Sequence, residues 1–229
     1  MNLFNGGKCV KYEIVGSEMQ YLLAELNNEE EIYVDGSHII YKDSSVSLNA
    51  KMQGGFLGAL KREITGSTFF LLEAKGPGKI ALSSPLAGKI VKIDLNGRGL
   101  LVEHTSFLAC DKSINYNAKL GSLTAGLFGG EGIFLAKLEG IGSAFLHAVG
   151  QVNQIHLNNG ELHIEASHLL AFDEGLQYGI SRVGNLKTML FGDEGLFFVN
   201  IKGEGNVYIK SSSRRDVALS IAKYLPRRQ

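Results

Sequence analysis

The sequence predicts an all-β protein: three tandem β-sandwich-like repeats around an internal pseudo-threefold axis, followed by a short C-terminal helix. Three observations carry this. Gly66–Leu82, Gly130–Leu146 and Asp193–Ile209 align without gaps. They bring Phe70, Phe134 and Phe197 into one column, and the Gly-x-Gly pairs Gly76/Gly78, Gly140/Gly142 and Gly203/Gly205 into two others. A second block, Ile32–Asp43, Leu100–Asp111 and Leu162–Asp173, aligns likewise and precedes the first in every copy. The apolar residues recur with period two, which places one strand face on a core and the other in water. Self-similarity on this scale marks a unit that buries its apolar side only against its neighbours.

The elements follow in order. Each copy of the second block opens on alternating apolar residues: Ile32 and Val34, Leu100 and Val102, Leu162 and Ile164. An acid follows (Asp35, Glu103, Glu165), then a hydroxyl two residues on (Ser37, Thr105, Ser167), and the block ends on Asp43, Asp111 or Asp173. An acid beside a hydroxyl residue at a strand end satisfies turn amides. The same two sets of acids, if they converged near the axis, would make a three-carboxylate cation site. Val91, Ile93 and Leu95 alternate with Lys92 and Asp94; Ile155 and Leu157 alternate with Gln154 and His156. Asn-Gly, Asn-Asn-Gly and Gly-x-Gly bound these runs, so tight hairpins with positive φ are expected. The middle residue of Gly-x-Gly varies (Pro77, Ile141, Glu204), so its constraint is backbone geometry. Apolar, glycine-studded links at 54–64, 121–129 and 184–192 break the strand period, two of them with helical spacing. At the C-terminus Asp216 is placed to cap a helix presenting Val217, Ile221, Tyr224 and Leu225 until Pro226 stops it.

Bulk properties bound the function. A chain of 229 residues can bury a substantial core. Lys plus Arg equals Asp plus Glu at 23 each, so no global field draws it to nucleic acid or an anionic surface. Against 29 glycines stand only 3 prolines, which suits tight turns. Cys9 and Cys110 make no CxxC pair, which fits a reducing compartment. Without a signal-like start or a membrane-length apolar run, the expected location is the cytoplasm.

The strings GGFLGALKR, GSTFFL, LFGGEGIFL, SHLLAFDE and LFGDEGLFF resemble the TRAP-like family of bacterial and archaeal proteins. That family is similar to a mitochondrial protein of the altered-inheritance-of-mitochondria class. The resemblance spans roughly residues 12 to 210. It implies a double-stranded β-helix fold, like the subunit of the tryptophan RNA-binding attenuation protein, and a role near a membrane without known catalysis. It divides the chain into a triplicated TRAP-like β domain at 1–212, with repeats about 12–86, 87–150 and 151–212, and a basic amphipathic tail at 213–229. No family residue carries a catalytic or cofactor role onto this sequence, and no cofactor is expected.

The leading expectation is a non-catalytic scaffold or binding protein, a homo-oligomer with a protein or membrane-surface partner. Phe56, Leu57, Leu60, Leu127, Phe128, Met189 and Leu190 are the candidate interaction surface. The enzymatic alternative is a cupin-like metal site of His163, Glu165 and His168, whose imidazole and carboxylate ligands suit Zn, Fe or Mn. Tyr33 and Leu101 replace His163 in the other copies, which speaks against it. No nucleophile elbow or dinucleotide fingerprint is present. RNA binding would rest on the small cluster Arg214, Arg215, Lys223, Arg227 and Arg228, so nucleic acid is a disfavoured partner.

Overall fold

The computed structural model describes residues 10–50, 70–117, 134–183 and 196–225. Of the described residues 67% are in β-strands, with antiparallel sheets and one short C-terminal helix. In chain order the strands are β1 (Lys11–Val15), β2 (Tyr21–Leu26), β3 (Glu31–Asp35), β4 (Ile39–Lys42), β5 (Ser47–Ala50), β6 (Leu71–Lys75), β7 (Gly78–Leu82) and β8 (Gly88–Asn96). Then come β9 (Leu100–Glu103), β10 (Phe107–Asp111), β11 (Ile114–Asn117), β12 (Leu135–Val149), β13 (Val152–Glu165), β14 (Leu169–Asp173), β15 (Gln177–Val183) and β16 (Leu196–Lys210). The helix α1 is Arg214–Ala222.

The matched blocks adopt matched local structures. Each copy of the acid-bearing block is a strand, a three-residue 3-10 turn (Gly36–His38, His104–Ser106, Ala166–His168) and a second strand. The Gly-x-Gly segments are not the expected hairpins. Gly140–Gly142 and Gly203–Gly205 lie inside the fifteen-residue strands β12 and β16. In the first copy the same place separates β6 from β7. Each marks a handover: the front half of β12 pairs with β9 and β11, the rear half with β10 and β8. Along β16 the front half pairs with β15 and the rear half with β14, while β13 runs beside both. A strand that changes partners must bend, and glycine supplies the positive φ for it, +151° at Gly142 and +155° at Gly205. Asn158–Gly160 is likewise a bulge within β13, with Asn159 at φ 51°, rather than a hairpin.

The copies stand in a row. β10 pairs with β3, matching Ala109 to Val34, Cys110 to Tyr33 and Asp111 to Ile32. β14 pairs with β9 in the same register: Ala171 to Val102, Phe172 to Leu101, Asp173 to Leu100. A second line of backbone bonds runs alongside, from Glu18 and Gln20 to Gly88, from Ala87 and Lys89 to Gly150, and from Gln151 to Ser211. No pairing joins the third copy to the first among the described residues. The core repeats this order. One apolar cluster joins the first copy to Leu108, Ala109 and Phe145 of the second, and another joins the third to Leu101 and Leu135. A central cluster is built around the second copy. Phe107, Phe145 and Phe172 are fully buried, each worth about 2–3 kcal/mol of transfer free energy.

Ser213, not Asp216, is the N-cap of α1. Its hydroxyl accepts from the Asp216 amide at 3.0 Å while the Asp216 carboxylate accepts from the Ser213 amide at 2.9 Å, a complete capping box. The apolar residues Leu219 and Ile221, with Tyr224 and Leu225 beyond the helix end, are exposed, so the helix is held by its first turn. The links expected to be helical lie outside the described residues.

Candidate functional site

A polar cluster gathers where the three 3-10 turns meet Arg214 and Asp216 at the start of α1. In each turn the recurring acid caps the local amide. Asp35 accepts from Ser37 N at 2.9 Å, Glu103 from Thr105 N at 3.0 Å and Glu165 from Ser167 N at 3.0 Å. The hydroxyls of Ser37, Thr105 and Ser167 donate to the same carboxylates. These acids are thus consumed by their own turns.

The second set, Asp43, Asp111 and Asp173, does a different job. Each accepts from the amide just after the second glycine of its own copy: Lys79 N at 2.9 Å, Ser143 N at 2.7 Å and Asn206 N at 2.8 Å. The carboxylates of Asp111 and Asp173 lie against the missing Cβ of Gly142 and Gly205, and at Gly78 the Cβ of Asp43 does so. Asp111 also accepts from the Tyr12 hydroxyl at 2.5 Å; burial first, then this carboxylate, pushes that phenol far above its ordinary range. Arg98 lies 3.4 Å from Asp173. Neither set of acids converges on a shared cation position, and among the described residues no group of three or more His, Cys, Asp or Glu side chains could hold a metal ion.

Residues near the end of the Gly-x-Gly strands and in α1 tie the turns together. His38 Nδ1 sits 3.0 Å from Asp35 Oδ2 in a buried pair. Lys210, buried at the end of β16, places its ammonium 3.4 Å from Glu103. Burial alone would raise the Glu103 carboxyl, but Lys210, His104 and the hydroxyls of Ser106 and Thr105 outweigh it and hold it at about 2. Arg214 Nη2 donates to Thr105 O at 2.9 Å and lies 3.5 Å from His38 Nε2. His147 is buried beside these cations. Burial first, then Arg214, His38 and Lys210, depress it to about 4, so it is neutral.

Of the sequence-derived metal set, Glu165 and His168 stay together, with His168 Nε2 3.9 Å from Glu165, and His163 stands apart. His163 is exposed and bonds Glu161 at 3.0 Å; Glu165 caps its turn; His168 Nδ1 lies 2.8 Å from Lys210 O, with Nε2 3.5 Å from Asp216. Phe56, Leu57, Leu60, Leu127, Phe128, Met189 and Leu190 lie outside the described residues. Cys110 is buried in β10. His147, Lys210 and Ser213 escaped the sequence reading, and Arg214 entered it only as part of the basic cluster. His147 and Lys210 share an alignment position with Ser83, just past the matched block, and a column that holds Ser, His and Lys gives no signal.

With this geometry in view, the AIM24 family (mitochondrial biogenesis AIM24) matches over residues 12–212. The chain belongs to the AIM24 family. It is 28% identical to uncharacterized protein M6_Spy0233 of Streptococcus pyogenes, over 93% of this chain and 90% of that one. The crystal structure of protein SPYM3_0169 from Streptococcus pyogenes superposes with a TM-score of 0.76 at 24% identity, covering 95% of this chain and all of that one. That likeness concerns the fold. No helix among the described residues of this AIM24-family chain is long and apolar enough to cross a membrane.

Proposed function

We propose that this AIM24-family chain is a non-catalytic scaffold that works as a homo-oligomer, built from three copies of a TRAP-like β unit of the double-stranded β-helix type. The observation that supports it most is the fate of the repeated acids. All six carboxylates are hydrogen-bonded to backbone amides of their own copy, so the chemistry that recurs in the sequence serves to shape turns and strands. A cytoplasmic protein acting near a membrane surface fits this reading, through the family's mitochondrial-biogenesis description and the exposed apolar residues of α1. Light scattering with elemental analysis on freshly purified protein tests the proposal. The expected result is a single species heavier than the chain, without stoichiometric metal. A monomer, or one tightly held metal ion per chain, refutes it.

A further inference from the structure

From Ala218 to Leu225 every residue of the C-terminal segment is exposed, and among the described residues no side chain of α1 enters the three apolar clusters. Only its first turn is built in. Ser213 is buried and closes the capping box with Asp216, Arg214 Nη2 donates to Thr105 O at 2.9 Å, and Asp216 lies 3.5 Å from His168. Yet the projecting part is not polar. Leu219 is 57%, Ile221 51%, Tyr224 79% and Leu225 61% exposed, four large side chains in water within seven residues. Val217 and Ile221, one turn apart, share a side of the helix. Tyr224 and Leu225 continue it, with amides that donate to Ile221 O and Ala222 O. Arg215 and Lys223 fall on the other side, and Lys223 Nζ stands 5.2 Å from the centroid of the Tyr224 ring.

We infer that α1 lies flat on an anionic lipid surface, with Val217, Ile221, Tyr224 and Leu225 sunk toward the acyl chains and Arg215 and Lys223 against the headgroups. This rests on the scaffold reading above and names the surface on which the scaffold would sit. Charge selects the occupant. From Ser213 onward the sequence holds Arg214, Arg215, Lys223, Arg227 and Arg228 against Asp216 alone. A chain with 23 residues of each sign therefore divides into a basic tail and an acidic remainder. A negative surface attracts the tail and repels the body, an orientation that the neutral total conceals. Size disfavours a protein groove. A nine-residue helix presenting four apolar side chains covers much less than the roughly 1,200 Å² of a stable protein interface. A bilayer needs no matching relief, and each cation near an anionic one strengthens binding about fivefold. Lysine and tyrosine, apolar in the stem and polar at the tip, both seat at the headgroup boundary. A helix this short is marginal on its own, so the capping box that fixes its first turn to the body also forms it before lipid is met.

Flotation of the full chain with lipid vesicles tests this. The protein is expected to rise with vesicles of phosphatidylcholine and phosphatidylglycerol, to stay behind with phosphatidylcholine alone, and to leave the lipid as salt is raised. Lys223→Glu should weaken binding roughly tenfold or more, and Ile221→Ser with Leu225→Ser should abolish it. All three positions are exposed, so far-ultraviolet circular dichroism and melting should not change. Lys11→Glu is the control: the same charge change on a side chain 77% exposed in β1, remote in sequence from the tail, should leave binding as it was. Equal recovery with neutral and anionic vesicles, binding that survives the α1 variants, or an equal loss in Lys11→Glu overturns the proposal. So does a chain that floats with neither vesicle; α1 amides already protected from exchange in lipid-free protein then assign the face to a protein contact. Light scattering on the same preparation reads the scaffold claim separately. A monomer that floats refutes the oligomer and leaves the lipid surface standing, and an oligomer that does not float does the reverse.

Discussion

Alanine at Gly142 offers the most direct measure of how tightly the strand handover is built. The residue sits at φ +151°, and a Cβ there would meet Asp111 Oδ2 at 2.8 Å, Ser113 Oγ at 2.9 Å and Asp111 Cβ at 3.0 Å. Two costs add. Holding an L-residue at such a φ costs about 1–3 kcal/mol, and forcing a methyl into filled space costs about 1–3 kcal/mol more. The carboxylate cannot simply step aside, because it accepts from Ser143 N and Tyr12 Oη. Gly142→Ala is therefore expected to lose about 2–6 kcal/mol, read as a fall in Tm of roughly 6–18 °C for a chain of this size. Gly175→Ala is the control, since a Cβ there meets nothing within 4 Å and its φ is not positive. Gly97→Ala separates the terms: φ is +84° with nothing within 4 Å, so only the backbone cost of about 1–2 kcal/mol applies. Thermal melts and urea midpoints of the three variants should rank Gly175, Gly97, Gly142 in increasing loss. If Gly142→Ala matches Gly97→Ala, the contact with Asp111 is not what fixes the glycine, and the account of the handover is wrong.

Three further outcomes follow from the polar cluster. Glu103 is held at about 2 from an ordinary 4.5, so its contribution of roughly 3 kcal/mol is present above pH 4.5 and lost as pH falls toward 2. Glu103→Gln should flatten that part of the stability curve and destabilise the protein at neutral pH by leaving Lys210 unpaired. His147 is depressed to about 4 from 6.5, so the unfolded chain binds its proton first and stability declines as pH drops from 6.5 to 4, by up to about 3 kcal/mol. His147→Gln should remove that slope in urea titrations across the same window. Ser213→Ala breaks the capping box and should cost about 1 kcal/mol, with hydrogen exchange rising first in the amides of α1.

What the sequence made legible was the part written three times. The acid and hydroxyl columns become the capped 3-10 turns, and the terminal Asp of each block meets its glycine turn in all three copies. Gly-x-Gly misled because glycine with positive φ serves both a hairpin and a mid-strand bend. The difference lies in which strands flank it, a long-range fact invisible in a short window. The cap of α1 was misplaced by three residues because Ser213 and Asp216 share one capping box and either can be read as the first turn. The group of His147, Lys210 and the half-buried Arg214 was illegible for the opposite reason. These side chains interact across copies, at positions where the three units have diverged, so no column preserves them.

The divergence has a direction. If the three copies enclosed an axis with equivalent seams, their matched residues would be equally covered. They are not. The acid side chain of the capped turn is 3% exposed in the first copy, 14% in the second and 25% in the third. The strand after that turn runs the other way, open in the first copy and sealed in the second and third. Each copy covers the turn of the one before it and is covered in turn by the next, so the row has a distinct beginning and end. Sequence has followed environment: Ile-Tyr-Lys stands in β4 where Leu-Ala-Cys and Leu-Ala-Phe fill the sealed sites, and His163 stands where Tyr33 and Leu101 are buried. Ile40 and Tyr41 persist on β4 beside a lysine, and the opposing edge of β13 carries Leu162 with His163 and Glu161. Lys42 and His163 are the polar residues that set these two edges apart from the sealed ones.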